Sequence, residues 1–380
     1  MNKTKHISLF IIAALLLILF SACSGEPGNA PSSSPSTSSP PASNQPTSSP
    51  QTNTPPTASP PSTNIPAETP GEEITSSPEP QLGNQNGTVN SDLPVVYMTT
   101  DITPDGLMAI YEALNATPTG NVGIKVHTGE SQNSNHLKPE LIKDLVQLLD
   151  GTIVETNTAY GGRRASTAYH LQLAADHGFT AIAPVDIMDS DGVMELPIAG
   201  GTRLTINEVG ASFTDYDYYV VLSHFKGHAM GGFGGAIKNV SIGFASAQGK
   251  SLIHTGGSSR SGFGMGTPAN VFMEAMAESA KSITDHMDGN ILYINVMNNI
   301  SVDCDCVANP SRPDMHDIGI LASLDPVALD QACVDLIYAA ADGASVIARI
   351  ESRNGVQTLE HAEAIGIGSR KYTLVSIDIS

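Results

Sequence analysis

From Leu93 to the C-terminus, short apolar runs alternate with helix-patterned segments, and few architectures accommodate that order. "LPVVYMTT" reads as a strand, and "TPDGLMAIYEAL" as a helix with Thr103 at the N-cap and Pro104 at its first position. "NVGIKVHT" is the next strand, "KPELIKDLVQLLDG" a helix closed by Gly151, and "GTIVETN" another strand. A helix from about Arg164 to His177 stops at Gly178, and "TAIAPVDIM" follows as a strand. This rhythm predicts an α/β fold, a mainly parallel sheet with helices on both faces. "ELPIAGGTRLTIN" interrupts it as a β-hairpin inserted in the middle, turning at Gly200 and Gly201. Beyond it, "YDYYVVLSHF" and "NILYINVMNNI" read as strands, and "GGAIKNVSIGFAS" and "PANVFMEAMAESAKSITDH" as helices. "DIGILASLD" is a short strand, "DPVALDQACVDLIYAA" a helix capped by Asp325, and "KYTLVSIDI" a closing strand.

The residues before Leu93 cannot share that fold. Lys3 and Lys5 precede an apolar run from Ile7 to Phe20, which is shorter than the roughly 20 residues a membrane span needs. "FSAC" then ends the run as a bacterial lipobox does, so residues 1–22 are expected to be a signal peptide and Cys23 the lipidated residue. The tract to about residue 92 is Pro, Ser, Thr and Asn with almost no large apolar side chain. It cannot bury enough surface to offset the entropy of ordering, so residues 23–92 are expected to be a disordered tether. Residues 93–380 remain for one α/β domain, lipid-anchored outside the cytoplasm to the cell membrane. A net charge of −20 argues against nucleic-acid partners, because phosphates would be repelled. Besides Cys23 there are three cysteines, Cys304, Cys306 and Cys333, an odd count unlike a disulfide framework.

Ligands of open α/β sheets bind beyond the carboxyl ends of the strands. Three polar clusters fall at such ends. "KVHTGE" offers Lys125, His127 and Glu130; "ETNTAYGGRR" offers Glu155, Asn157, Arg163 and Arg164; "SHFKGHAMGGFGGAIKN" offers His224, Lys226, His228, Lys238 and Asn239. His224 and His228 would share a helix face, but the surrounding glycines favour a loop. Lys226 and Lys238, beside the backbone of Gly234 and Gly235 entering a helix, suit a small anion. "GFASAQGKS" has the wrong glycine spacing for a phosphate loop and follows a helix-like run. "DCDC" places two thiols one residue apart. Cys304 and Cys306 suit a soft metal or part of an iron–sulfur ligand set, completed by His224, His228 or His254. A disulfide or a redox-active pair is the other reading. Cys333 shares a helical face with Leu329, Leu336 and Ile337 and reads as a core thiol.

Together, "IKVHTGE", "NTAYGGRR", "SHFKGHAMGGFGGAIKN", "CDC" and "DIGILASLDPVALDQACVDL" resemble the domain-of-unknown-function 362 family, often labelled uncharacterised iron–sulfur centre proteins. The resemblance covers Leu93 to about Ala340. Many members carry a ferredoxin-like insert after the histidine that matches His254, but "HTGGSSRSGFGMGTPAN" contains no cysteine, so electron transfer through inserted clusters does not carry over. What the resemblance leaves is a core of Lys125, His127, Glu130, His224, Lys226, His228, Lys238, His254, Cys304, Cys306 and Asp317.

Two functions follow as expectations. The first is a metal- or iron–sulfur-associated enzyme, redox or acting on a small anionic metabolite. Cys304, Cys306 and one or two of the three histidines would hold the metal. Lys226, Lys238 and Arg163 would hold the anion, and Glu130 or His127 would move the proton, with Lys125 beside them. The second is a tethered, non-catalytic lipoprotein that captures a small anion or a metal. A Cys304 to His228 separation beyond ~10 Å would exclude a shared mononuclear site.

Overall fold

The structure, a computed structural model, describes residues 92–378; the expected signal peptide, Cys23 and all but the end of the tether lie outside the described residues. The chain begins with β1 (Val95–Thr99), α1 (Pro104–Ala113), β2 (Val122–Lys125), α2 (Pro139–Leu148), β3 (Thr152–Glu155), α3 (Thr167–Asp176) and β4 (Val185–Ile187). The inserted hairpin pairs β5 (Val193–Pro197) with β6 (Ile206–Gly210) in antiparallel register. Then come β7 (Tyr218–His224), β8 (Lys226–His228), β9 (Gly232–Gly234), α4 (Ala236–Phe244), α5 (Ala247–His254) and α6 (Ala269–Met287). The chain continues through β10 (Ile291–Met297), β11 (Gly319–Ser323), α7 (Pro326–Ala339), α8 (Ala344–Ser352), α9 (Gln357–Ala364) and β12 (Thr373–Ser376).

The main sheet has eight strands in the order β12-β1-β11-β10-β7-β2-β3-β4. Only β11 runs against the others, since it pairs antiparallel with both β1 and β10 while every other pairing is parallel. All seven residues of β7 are buried, as expected for a central strand covered on both faces. Its side chains alternate between two cores. Val220 and Leu222 pack with Leu107 and Ile110 of α1, Ile142 and Leu145 of α2, and Ala174 of α3. Tyr219 and Val221 pack instead with residues of α4, α6, α7, α8 and α9. From β2 the chain moves outward through β3 to β4; from β7 it moves the other way to β10. The β2–β7 boundary is therefore a topological switch point, where the diverging connections leave a crevice.

The capping signals act as the sequence predicts. The Thr103 hydroxyl accepts from the Gly106 N–H at 3.2 Å, and Asp325 Oδ1 accepts from Val327 and Ala328 at 2.8 and 2.9 Å. Three boundaries differ. Asp150, with φ of 47°, takes the left-handed turn after α2 that was expected of Gly151. Residues Arg163–Ala165 form a separate 3₁₀ turn, so α3 starts only at Thr167. "TAIAPVDIM" yields a strand only over Val185–Ile187, because Phe179–Ala181 closes as another 3₁₀ turn.

Candidate functional site

"SHFKGHAMGGFGG" is neither a helix nor an open loop. Beyond β7 the chain turns into a small hairpin, β8 against β9, with Lys226 opposite Gly234 and His228 opposite Gly232. Gly227 is required by close approach: a Cβ there would lie 2.5 Å from the Val302 carbonyl oxygen. Its N–H donates to the Ser301 oxygen at 2.8 Å, so the hairpin is docked directly on the loop that carries the two cysteines.

Asp305, between those cysteines, locks the loop in place. It is 1% exposed and accepts from His224 Nδ1 at 3.0 Å and Lys226 Nζ at 2.9 Å. Its backbone oxygen accepts from the Glu130 N–H at 3.0 Å. Burial alone would raise its carboxyl, but His224 and Lys226 hold it well below the usual carboxylate range. His224 Nε2 faces the Asn298 oxygen at 2.6 Å. Both of its ring nitrogens are thus engaged by protein oxygens, so neither faces an open metal position.

The donors that meet are His228, Cys304 and Cys306, whose ligand atoms all lie within 4.8 Å of one another. This is far inside the ~10 Å limit for a shared site. A hydrogen bond with Cys306, with Lys238 and His228 close by, holds the Cys304 thiol well below its ordinary range; Cys306 is held well above it. His224 and His254, expected as further ligands, are not in the group. His254 Nδ1 donates to the Lys250 oxygen at 2.6 Å, one helical turn back, and its ring stacks on Phe272. Cys333 is buried in the core, as its helical face predicts.

A cavity of about 210 Å³ opens at the switch point. Five basic side chains line it: Lys125, Arg164, Lys226, Lys238 and Lys250. Among the described residues, Glu155 is the only carboxylate in the lining; it pairs with Lys125 at 3.2 Å and accepts from Thr128 N–H and hydroxyl. Lys125 pairs with Glu155, Arg164 with Glu130 and Lys226 with Asp305, which leaves the Lys238 charge without a carboxylate partner among the described residues. In a chain of net charge −20, this is a local reversal that draws in anions. Asn239 sits across the crevice, donating to the Ser223 hydroxyl at 3.0 Å and to the Lys125 and Leu222 oxygens at 3.3 Å.

Several expected placements differ. Arg163 lies at the surface, paired with Asp176 at 2.5 Å, while its neighbour Arg164 is the buried arginine of the cavity. A 3₁₀ turn separates two adjacent arginines by about a third of a revolution, which spacing along the chain cannot reveal. Glu130 does not line the cavity; it accepts from Arg164 Nε at 2.8 Å and so aims that guanidinium. The α4 N-terminus, expected to bind an external anion beside Gly234 and Gly235, already holds one. Asp330 of α7 accepts from Ala236 and Ile237 N–H at 2.7 and 2.9 Å. A Cβ at Gly235 would sit 2.3 Å from that carboxylate. Burial pushes the Asp330 carboxyl up to about 6. Asp317, also in the expected core, accepts from the Asn299 N–H outside the cavity.

Sequence reasoning missed Lys250. It stands in "GFASAQGKS", set aside as a failed phosphate loop, yet it lies four residues before His254 on α5, on the same helical face. Burial lowers its amine from 10.5 to about 7. Between those values the unfolded chain holds a proton that the folded chain lacks, so raising pH favours the folded state across that window. Lys250→Met should remove this term. Melting temperatures of the original chain and the variant, followed from about pH 7 to pH 10, should converge or cross as the original gains; parallel curves would show that the amine titrates normally.

The family model for "Domain of unknown function (DUF362)" matches residues 122–335. No curated protein matches the sequence. Among solved structures, the fold is similar to the lactate racemase apoprotein from Thermoanaerobacterium thermosaccharolyticum, at 15% identity and TM-score 0.34, over 59% of this chain and 55% of that one. It is also similar to a protein from Thermotoga maritima, at 12% identity and TM-score 0.35, over 61% and 57%. This chain spans little more than half the length of either protein.

Proposed function

The chain belongs to the domain-of-unknown-function 362 family, and from that premise we propose that it is a metal-assisted enzyme for a small anionic metabolite, held outside the cytoplasm by lipid on Cys23. The observation that carries this reading is the meeting of a His228–Cys304–Cys306 donor group with a cavity lined by four lysines and an arginine. The basic start, apolar run and "FSAC" motif support the anchor.

The donors fit a metal by type and spacing. Two thiols and an imidazole suit a soft or borderline ion, and bonds of about 2.0–2.3 Å span such a group after slight contraction. Three protein ligands leave one tetrahedral position open, as in catalytic sites, whereas an iron–sulfur cluster takes four. A mononuclear ion is therefore favoured over a cluster. His228 sets a condition. Its Nδ1 accepts from Gly231 N–H at 2.8 Å and Met230 N–H at 3.3 Å, so the neutral ring carries its proton on Nε2. Loading through either nitrogen therefore costs those two bonds, and the proton released on metal uptake comes from the Cys306 thiol, which is held well above its ordinary range.

When bound, the metal would act as a Lewis acid toward an oxygen of the substrate. The protein's own residues do the rest. Lys238 has no carboxylate partner among the described residues and is the natural seat of the substrate's charge. Arg164, aimed by Glu130, supplies a second. His127 Nδ1 accepts from Gly129 N–H at 3.0 Å, so its ring offers an N–H at Nε2 and orients an anion as a donor. Burial lowers His127 well below its usual value, which makes it a weak proton acceptor. His254, with its proton fixed on Nδ1, keeps a lone pair at Nε2 facing the cavity, and burial lowers it as well, to about 4, so it accepts a hydrogen bond rather than a proton.

The full chain, purified anaerobically, should contain about one metal per chain and should gain thermal stability with pyruvate or phosphate. Lys238→Met should weaken that anion effect about 10-fold. A chain free of metal that takes up no Fe, Zn or Ni would overturn the metal assignment. Ligand-induced stabilisation with no conversion of any anion tested would make the protein a capture protein instead. The His228 tautomer favours one second reading, in which a Cys304 thiolate acts directly as nucleophile; rapid alkylation of Cys304 alone in metal-free chain would support it.

A further inference from the structure

Lys250 is the one buried lysine among the described residues with no carboxylate within ion-pair distance. Lys125 has Glu155 and Lys226 has Asp305, but Lys250 contacts only neutral acceptors. Its Nζ donates to the Thr156 hydroxyl and, at 2.7 Å, to the Ala245 oxygen. Thr156 in turn donates to the Gly243 or Ala245 oxygen, at 3.0 or 2.8 Å, so its own proton does not compete. Two acceptors match the two protons of a neutral amine and leave its third position for a lone pair. An ammonium would keep one proton unsatisfied in a buried wall. The same side chain lines the cationic cavity.

We propose that Lys250 is an imine-forming nucleophile whose amine condenses with the carbonyl of a small 2-oxo acid held in this cavity. The proposal rests on the anion-binding reading above and names its substrate class. The carbonyl gives the amine something to attack, and the adjacent carboxylate gives the cations something to hold. Lys125 and Arg164 are the cations that act on Lys250 most strongly, with Glu155 and Asp189 opposing them. The cavity has roughly the volume of seven waters, enough for an acid of a few carbons. The step balances within the pair. The nitrogen lone pair bonds to the carbonyl carbon and the C–O π pair moves to oxygen. One amine proton passes to that oxygen, the second follows on dehydration, and water leaves as the C=N bond forms.

The test is reductive trapping. The full chain is incubated with pyruvate and cyanoborohydride near pH 7.5, then analysed as intact mass and as peptides. One reduced pyruvate adduct per chain is expected on Lys250, formed at least ~100-fold faster than on surface lysines, which are about 0.1% neutral at that pH. Excess inorganic phosphate should slow it by competing for the cavity. The adduct should vanish in Lys250→Arg. Adducts spread evenly over surface lysines, or labelling undiminished in Lys250→Arg, would overturn the proposal. Stabilisation by pyruvate without any adduct would sink the imine and leave the anion site standing. If neither pyruvate nor phosphate stabilises the chain, the anion site fails first. Because phosphate protection is read on the unaltered chain, the proposal stays testable even if Lys250→Arg folds poorly.

Discussion

Cys304→Ala should weaken metal retention by at least ~100-fold, so that anaerobically purified variant carries no metal after dialysis. Loss of a partner that merely orients a ligand costs 10–100-fold, and Cys304 would be a ligand itself. Among the described residues three donors meet in the group, and none of the others stands by to replace it. His224 has both nitrogens engaged and His254 stands outside the group, so neither compensates. Cys333→Ala is the control. That thiol is buried on α7, with Asn295 Nδ2 at 3.4 Å. It should cost about 1 kcal/mol of stability and leave metal content unchanged. Elemental analysis of both variants beside the unaltered chain reads the result. Metal retained in Cys304→Ala would show that the CDC loop does not hold it.

Asp305→Ala should be the most destabilising single change at the site, by roughly 3–5 kcal/mol. The carboxylate is the shared partner of His224 and Lys226, both buried. Removing it leaves the Lys226 ammonium without its counter-charge and His224 Nδ1 without its partner, in a wall that already holds an excess of positive charge. For a domain of this size that is a fall of roughly 10 °C in melting temperature. The sign with pH is fixed by the lowered carboxyl. Its contribution is present above an unfolded value of about 3.8 and is lost as pH falls below it, so the gap between the two chains should close only under acid conditions. Scanning calorimetry from about pH 3 to pH 8 would measure it. A gap independent of pH would mean that lost packing, not lost charge, is responsible. Asp305→Asn separates the two, since it keeps the shape and removes the charge.

Much of this site is legible before any coordinates. The strand ends at Lys125, Glu155 and His224 are visible because buried strands read as apolar runs whose first polar residues mark the exit. The "CDC" pair stands out because two thiols one residue apart in a cysteine-poor chain suit a metal by type and spacing. Arg164 against Arg163 was not legible, because one residue of rotation in a short 3₁₀ turn decides which arginine is buried. Asp330 was not, because the helix it caps lies 93 residues away in sequence. Lys250 was passed over because it was judged as part of a phosphate loop, when its partner signal was His254 one turn later.

By itself, then, the sequence determined the α/β class, the mainly parallel sheet with its hairpin insertion, the strand ends that carry polar side chains, and the family. These follow from local periodicity and from the chain's own order, which neighbouring residues encode. The tertiary structure alone decided which of those side chains meet. It brought His228 to Cys304 and Cys306, kept His224 for Asp305, turned Arg163 outward, closed the α4 N-terminus with Asp330, and left Lys250 buried without a carboxylate. Such contacts are set by packing between elements far apart in the chain. They depend on distances and tautomers that no spacing of residues along a line can specify.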